Sequence, residues 1–174
     1  MTKVVARSGL RGLTYRAVAA EAGVSHGSVT LHFGSRDAMI EEAHARAVAN
    51  SISRSSLEPG TGDLSDFVAG LVQSAEDDPD SELFQWELAL ESRRSPHLAP
   101  EVKRLYGSYT DAAARELERM GFGDDPVLAR LIAGALDGLV LQQTVGLRTP
   151  AETEEEIERL RELLALALEA KPGP

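Results

Sequence analysis

The sequence predicts an all-α protein with a small N-terminal helix-turn-helix head followed by a larger helical body. Apolar residues recur at helical spacing through most of the 174 residues, and no segment alternates between apolar and polar residues as a half-buried strand does. In addition, residues 14 to 33 contain a helix, a glycine turn and a second short helix in one compact unit. We predict two domains, the head at residues 1–54 and the body at residues 55–174.

The helix-turn-helix stretch has the residue types that begin and end helices. Thr14 is a predicted N-cap of the first helix, Gly23 ends it because glycine adopts positive φ at little cost, and Ser25 caps the second helix. Val29 and Phe33 lie four residues apart and predict one buried face. The opposite face is small and polar, as an element that enters a DNA groove requires. Its residues are His26, Gly27, Ser28, Thr30 and His32.

Further helices are predicted along the rest of the chain. Val24 is expected to return to the core after the turn, and a third helix is expected from Ser35 to about Ser53. The segment around Pro59, with two glycines close by, predicts the connection between head and body. Beyond it, turn-forming residues separate five predicted helices, at about 63–76, 81–94, 100–120, 126–147 and 150–170.

The order of residues in the helix-turn-helix stretch resembles the signature of the TetR family of transcriptional regulators. Helical packing alone explains the apolar positions, but it gives no reason for Gly23, Ser25 and Gly27 to occur together with a histidine and a phenylalanine further on. The resemblance implies a homodimer whose head binds DNA and whose body is a ligand-binding and dimerisation domain. The matching residues are Thr14, Val18, Ala19, Ala22, Gly23, Val24, Ser25, Gly27, Val29, His32, Phe33, Ser35, Arg36 and Asp37.

Two features depart from the family pattern. Thr30 stands where the family usually has a tyrosine, so one phosphate contact is shortened to a hydroxyl. Family members also begin with a full helix before the position of Gly9, whereas eight residues precede Gly9 here, and Val4 and Val5 resemble the end of that helix. We therefore expect either a start further upstream or a truncated first helix. The alternative function that a truncated helix implies is a helical, dimeric ligand-binding or interaction protein with impaired DNA binding.

Net charge has opposite signs in the two predicted domains. The whole chain carries a formal charge of −10. Residues 1–54 contain seven Lys or Arg against four Asp or Glu, which gives +3, and residues 55–174 contain eleven against twenty-four, which gives −13. Because phosphate contacts supply most of the non-specific affinity for DNA, a basic head on an acidic body predicts that the head contacts DNA. The alternative is an uneven surface charge without function.

Positions on the two motif helices suggest roles in DNA contact. Tyr15 and Arg16 begin the first helix, where they reach phosphate, and Arg16 also reaches a guanine edge. His26 and Ser28 are the predicted base-reading residues, with a purely structural histidine as the alternative for His26. The predicted DNA-contacting residues are Thr14, Tyr15, Arg16, Ser25, His26, Gly27, Ser28, Thr30, Leu31, His32 and Arg36.

The other residues of the second helix have complementary predicted roles. Gly27 lets the helix backbone approach the groove, and Leu31 packs against a thymine methyl group. Thr30 and His32 are predicted phosphate contacts, with a structural or solvated role as the alternative for the histidine. Arg36 resembles the phosphate-binding lysine that the family has at the start of the next helix.

Aromatic residues are concentrated in the central predicted helices. By resemblance these helices enclose an inducer cavity, so their aromatic and apolar residues are candidates to line a site for an apolar or aromatic small molecule. The alternative is ordinary core, which every bundle of helices needs. The tyrosines are the better candidates because a buried hydroxyl needs a hydrogen-bond partner. The candidate residues are Phe67, Leu71, Trp86, Leu90, Tyr106 and Tyr109.

The last two predicted helices are typical of a dimer interface. Residues 127–147 are apolar around most of the helix and include Gly134 and Gly138, which permit close approach of a second helix. Thr149 and Glu152 predict a capping box at the start of the final helix. Two such helices from each chain form a four-helix interface, and the resemblance implies the same pairing, with two reading helices spaced for a palindromic operator.

Composition and motifs favour a regulator over an enzyme. The chain has no cysteine and no G-x-S-x-G, H-E-x-x-H or P-loop motif, so we expect no catalytic residue, cofactor or metal. It has no long apolar run and no signal-peptide pattern, so we expect a cytoplasmic protein. Its expected partners are DNA, a small-molecule inducer and a second copy of itself, and we expect no membrane contact. The simplest function is that of a repressor that the small molecule releases from its operator.

Overall fold

The computed structural model describes residues 1–54, 57 and 60–170, and these residues form helices and connecting turns without any strand. The predicted all-α fold is therefore confirmed for this part of the chain. Short 3-10 turns occur at Leu10–Gly12, Leu64–Asp66 and Pro96–Leu98. None of the described helices is long and apolar enough to cross a membrane. The α-helices are α1 Thr2–Ser8, α2 Tyr15–Ala22, α3 His26–Phe33, α4 Arg36–Arg54, α5 Leu71–Asp77, α6 Pro79–Ser92, α7 Ala99–Arg119, α8 Pro126–Thr144 and α9 Pro150–Glu169.

Most predicted helices begin and end within a few residues of the observed bounds, but the helix predicted at 63–76 is wrong in its first half. Only α5 is α-helical there, because the chain before it turns through two residues with positive φ, Val68 at 52° and Gly70 at 86°. Glycine is required at position 70, since a Cβ there would lie 2.8 Å from the carbonyl oxygen of Arg54. Pro59, which marked the predicted connection, lies outside the described residues.

The described chain falls into two compact units. The first unit comprises residues 1–49 and 78–106, and the second comprises residues 50–77 and 107–174. The chain passes between them within α4, between α5 and α6, and within α7. The unit that contains the helix-turn-helix thus also contains α6 and the start of α7. The predicted domain boundary between residues 54 and 55 stays a prediction.

The first unit has one continuous apolar core. Val4 and Val5, which the sequence predicted at the end of a first helix, lie within α1 and are buried in this core. Phe84 and Leu88 of α6 lie in the same cluster and are almost completely inaccessible to solvent. Each such side chain contributes roughly 1.5–3 kcal/mol by leaving water. The remaining buried members are Leu10, Leu13, Val18, Ala19, Val29, Met39, Ile40, Ala43, Ala47, Leu98 and Val102.

Capped helices and a few long-range hydrogen bonds organise the second unit. The predicted capping box at the start of α9 is present, with the Thr149 side chain and Glu152 each bonded to the other's backbone N–H. The Arg161 Nε of α9 donates to the carbonyl oxygen of Phe67 at 3.0 Å, and the Gln143 Nε2 of α8 donates to that of Val72 at 3.0 Å. These two bonds attach both C-terminal helices to the segment that contains α5.

A buried glutamate in the second unit binds the loop before α5. Glu116 of α7 has 1% of its surface exposed, and its carboxylate accepts hydrogen bonds from the Gly62 N–H at 2.8 Å and from Arg119 Nη1 at 3.0 Å. The loop needs glycine at position 60, because a Cβ there would overlap the carboxylate of Glu116. Burying a carboxylate is costly unless hydrogen bonds compensate for the lost hydration, and both bonds do so here.

We expect Glu116→Ala to lower the free energy of unfolding by about 2–3 kcal/mol, because it leaves a partly buried N–H without its acceptor and opens a cavity. Urea unfolding followed by circular dichroism measures the change. The matched control is Glu118→Ala on the same helix, where the side chain is exposed and the expected change is within about 0.5 kcal/mol. Equal stabilities of the two variants would show that the Glu116 carboxylate does not hold the loop.

Candidate functional site

The two motif helices begin and end at the residues that the sequence predicted. The Thr14 hydroxyl accepts a hydrogen bond from the Ala17 N–H at 3.2 Å at the start of α2, and the Ser25 hydroxyl accepts one from the Ser28 N–H at 3.0 Å at the start of α3. Gly23 has the left-handed conformation, with φ 66° and ψ 29°. This conformation reverses the chain within three residues, which is the geometry of a helix-turn-helix.

One side of α3 is buried and the other is open to solvent. Val29 is 4% exposed, whereas Leu31 is 88% exposed. The prediction that Val24 returns to the core is wrong, since its side chain is 49% exposed. Val24 follows the left-handed glycine directly, and its N–H is used to bond the carbonyl oxygen of Ala19 while its side chain points outward. The other exposed residues of this helix are His26, Gly27, Ser28 and His32.

Several polar groups of the predicted DNA surface are already bonded within the protein. The Ser28 and Ser25 hydroxyls share a hydrogen bond of 2.7 Å. The Thr30 hydroxyl donates to the carbonyl oxygen of His26 at 3.1 Å. The Tyr15 hydroxyl donates to the carbonyl oxygen of Gly34 at 3.3 Å, and its ring meets that of His26 edge-on at 5.8 Å. The Tyr15 contacts join α2 to α3, whereas the serine and threonine bonds lie within α3 and its N-cap.

The arginines of the head differ in how many donors they leave for a ligand. Arg36 donates to the carbonyl oxygens of Leu10 at 2.7 Å and Leu13 at 3.1 Å, so it binds the loop between α1 and α2. The Arg7 guanidinium pairs with Glu21, and its hydrogen bond holds the pKa of that carboxyl below its usual value. Arg16 is exposed at the start of α2 and has no ion pair within the described ranges.

The predicted small-molecule residues are divided between the two units. In the first unit, Trp86 meets Tyr106 edge-on with ring centres 6.4 Å apart, and Leu90 of α6 is 61% exposed. In the second unit, Phe67 and Leu71 are buried and Tyr109 is half-buried. Each unit therefore contains part of the predicted set. Its function as a binding site stays a prediction.

Sequence reasoning did not single out His44, which lies beside the aromatic pair in the first unit. The His44 ring is completely buried, with the Phe84 ring centre at 6.2 Å and that of Tyr106 at 6.1 Å. The signal was present in the helical spacing, because His44 falls four residues after Ile40 and four before Val48, both of which are buried. A histidine at an inward position therefore belongs to the same aromatic cluster as Tyr106.

The last two helices carry exposed apolar side chains. Val127 and Leu131 of α8 are 65% and 67% exposed, and Leu163 and Leu166 of α9 are 51% and 58% exposed. We name these four residues the α8/α9 apolar face.

Asp137 lies on α8 as well, and burial raises the pKa of its carboxyl to about 6.

Comparisons with known proteins agree with this architecture. The family model for bacterial regulatory proteins of the tetR family matches residues 2–43. The model for the tetracyclin repressor-like C-terminal domain matches residues 59–170. No curated protein sequence matches the chain.

Solved structures with the same fold include regulators and a multidrug-binding protein. A Rhodococcus sp. protein assigned to the TetR family superposes with a TM-score of 0.79 at 18% identity, covering 94% of this chain and 93% of the other. A transcriptional regulator from Rhodococcus sp. Rha1 superposes with a TM-score of 0.78 at 25% identity, covering 98% of this chain and 95% of the other. The multidrug binding protein EbrR, complexed with imidazole, superposes with a TM-score of 0.64 at 27% identity, covering 99% of this chain and 91% of the other. EbrR complexed with proflavin superposes with a TM-score of 0.52 at 26% identity, covering 94% of this chain and 92% of the other.

We expect the contribution of Asp137 to the free energy of unfolding to become less favourable as pH rises from about 4 to 7. Its folded pKa of about 6 lies above the ordinary value of 3.8, so the folded state keeps a proton that the unfolded state releases in this range. Asp137→Asn removes this penalty. The variant should be more stable than the wild type by about 1–3 kcal/mol at pH 7, with a smaller difference at pH 4.

Urea unfolding at both pH values measures this difference. Asp111→Asn, at an exposed position of α7, is the matched control, and its stability should stay within about 0.5 kcal/mol of the wild type. A constant difference between wild type and Asp137→Asn across the range would contradict the raised pKa.

Proposed function

The chain belongs to the TetR family of regulators, and we propose that it is a homodimeric, ligand-responsive DNA-binding regulator of transcription. In its simplest form it is a cytoplasmic repressor, without enzymatic activity, that a small molecule releases from a palindromic operator. The observation that carries the proposal is the open side of α3, which presents small, polar and apolar groups beyond a buried Val29.

In the proposed complex, α3 lies in the major groove and α2 crosses the phosphate backbone. His26 and Ser28 contact base edges, while Gly27 allows the helix backbone to approach them. Arg16 contributes an unpaired guanidinium to phosphate or to guanine. The Arg36 bonds to the loop carbonyls support a positioning role in addition to the predicted phosphate contact.

The remaining residues of the predicted set support the same orientation. The Thr14 and Ser25 hydroxyls each cap one N–H group at a helix start. The other N–H groups of each first turn are the proposed phosphate contacts. Tyr15 braces α3 through Gly34 and His26. Thr30 and His32 flank the open side of α3 and are the proposed phosphate contacts of this helix.

The exposed apolar side chains of α8 and α9 support dimerisation through these helices. Leucine and valine side chains that are more than half exposed on two successive helices are stabilised when a second copy covers them. Gly134 and Gly138 add to this argument, because in the described chain a Cβ at either would meet no atom within 4 Å. The protein itself therefore does not require glycine there, whereas close approach of a partner helix does.

The proposed inducer is an apolar or aromatic small molecule. The EbrR complexes with imidazole and proflavin support this class, because EbrR shares the fold and about a quarter of the residues. Within this chain, the partly exposed Trp86 and Tyr106 of the first unit provide an aromatic surface next to the core of the helix-turn-helix. A ligand that binds better to one spacing of the two heads than to another would shift the population between them.

Selection from a pool of random DNA duplexes tests the proposal. We expect the full chain to enrich a palindrome, and we expect the double variant Arg16→Ala, His26→Ala to lose the enrichment, because it lacks a phosphate contact and a base contact. Sequencing of the retained fragments at two salt concentrations is the measurement. Arg46→Ala is the control, since Arg46 is exposed on α4 and paired with Glu42.

Enrichment that is absent at both salt concentrations would instead favour the helical ligand-binding or interaction protein with impaired DNA binding. If the double variant still enriches the palindrome, the chain would still be a DNA-binding regulator, but Arg16 and His26 would not belong to the DNA interface.

Dimerisation is tested by Leu131→Glu. We expect this variant to be monomeric at concentrations where the wild type is a dimer, because a charge in the covered apolar face costs several kcal/mol. Sedimentation velocity measures the mass. Glu118→Lys, a charge change at an exposed position of α7, should leave the dimer intact. A dimer that survives Leu131→Glu would place the interface elsewhere.

A further inference from the structure

Leu31 is the most exposed large apolar side chain in the part of the chain that the structure describes, with 88% of its surface accessible. It belongs to α3, a helix of eight residues that is held in place by the buried side chain of Val29. Leu31 adds nothing to that packing. A single exposed leucine is common on protein surfaces, so its meaning depends on where it lies and on what surrounds it.

Leu31 lies on the outermost side of α3, along a line of residues that we name the outer line of α3. Successive residues of an α-helix turn by about 100°, so Leu31 lies about 200° around α3 from the buried Val29 and faces directly away from the core. Gly27 lies one turn earlier on the same line. Within the described ranges, a Cβ at Gly27 would approach nothing closer than the Ser25 hydroxyl, at 3.8 Å. The outer line of α3 therefore consists of Gly27, which has no side chain, and Leu31, whose apolar side chain projects from the helix.

The neighbouring side chains leave this apolar group as the main chemical feature of the outer line. The Ser28 hydroxyl is bonded to that of Ser25, and the Thr30 hydroxyl is bonded to the carbonyl oxygen of His26. No Lys, Arg, Asp or Glu occurs between Val24 and Gly34. The helix thus has no guanidinium or ammonium with which to read guanine, and no carboxylate with which to read cytosine.

Only one base presents an apolar group in the major groove. Thymine has a methyl group on C5, whereas cytosine and uracil have a hydrogen there. Resting on the proposed DNA-binding function, we propose that Leu31 is a specificity-determining residue that recognises a thymine in each half-site through its C5 methyl. The bare backbone at Gly27 lets α3 approach closely enough for the leucine to reach that methyl.

The test uses the full chain and the palindrome obtained by selection. Each thymine of the palindrome is replaced individually by deoxyuridine, which removes one methyl group and leaves base pairing unchanged. At one position per half-site we expect the affinity to fall about fourfold, which corresponds to the burial of about one methyl-sized group. Cytosine at that position should weaken binding further, and 5-methylcytosine should recover part of the loss.

Variants of Leu31 identify the residue that senses the methyl. Leu31→Ala should bind the thymine and deoxyuridine duplexes equally, whereas Leu31→Met, which keeps an apolar side chain, should retain the difference. Leu147→Ala is the matched control, because Leu147 is a 66% exposed leucine outside the head and its loss should leave the methyl effect unchanged. Circular dichroism shows whether each variant is folded.

The outcomes separate the two proposals. An enriched palindrome that the wild type binds equally with thymine or deoxyuridine at every position would overturn the role of Leu31 and leave the DNA-binding function in place. A methyl effect that persists in Leu31→Ala would also overturn it. The absence of any enriched sequence would overturn both proposals together.

Discussion

The packing of α6 against α1 and the turn at Leu10–Gly12, which leads into the helix-turn-helix, is the interaction on which the first compact unit depends. The helices α1, α2 and α3 contain 7, 8 and 8 residues, and isolated helices shorter than about 12 residues are marginal in water. They are therefore stable only when their apolar faces are buried. Phe84 and Leu88 of α6 supply part of that burial. The DNA-reading element and the helix that carries Trp86 consequently share one core.

Much of the fold and of the candidate site follows from local sequence. Thr14, Gly23, Ser25 and Thr149 begin or end helices where predicted, because caps depend on residues only a few positions apart. The failures depend on distant partners. The turn before α5 depends on the Arg54 carbonyl next to Gly70, which no local pattern contains.

Two other features of the head also lay beyond local sequence. The bonds from Arg36 join residues 23 and 26 positions apart, so its attachment to the loop could not be predicted from the motif. The buried position of His44 follows the helical spacing of α4, but the aromatic rings around it come from α6 and α7. Sequence pattern located the surface of the head, and tertiary contacts determined which of its polar groups remain available.

The helix α3 has no Lys, Arg, Asp or Glu, and this determines how its contacts in the proposed complex respond to salt. DNA binding that depends on cations releases counterions, and the logarithm of the affinity falls with the logarithm of salt concentration by about 0.9 for each phosphate neutralised. The outer line of α3 contributes no permanent cation, and Arg7 is paired with Glu21. The contacts that α3 makes in the proposed complex would therefore change little with salt concentration, whereas those of Arg16 and Arg36 would weaken as salt rises.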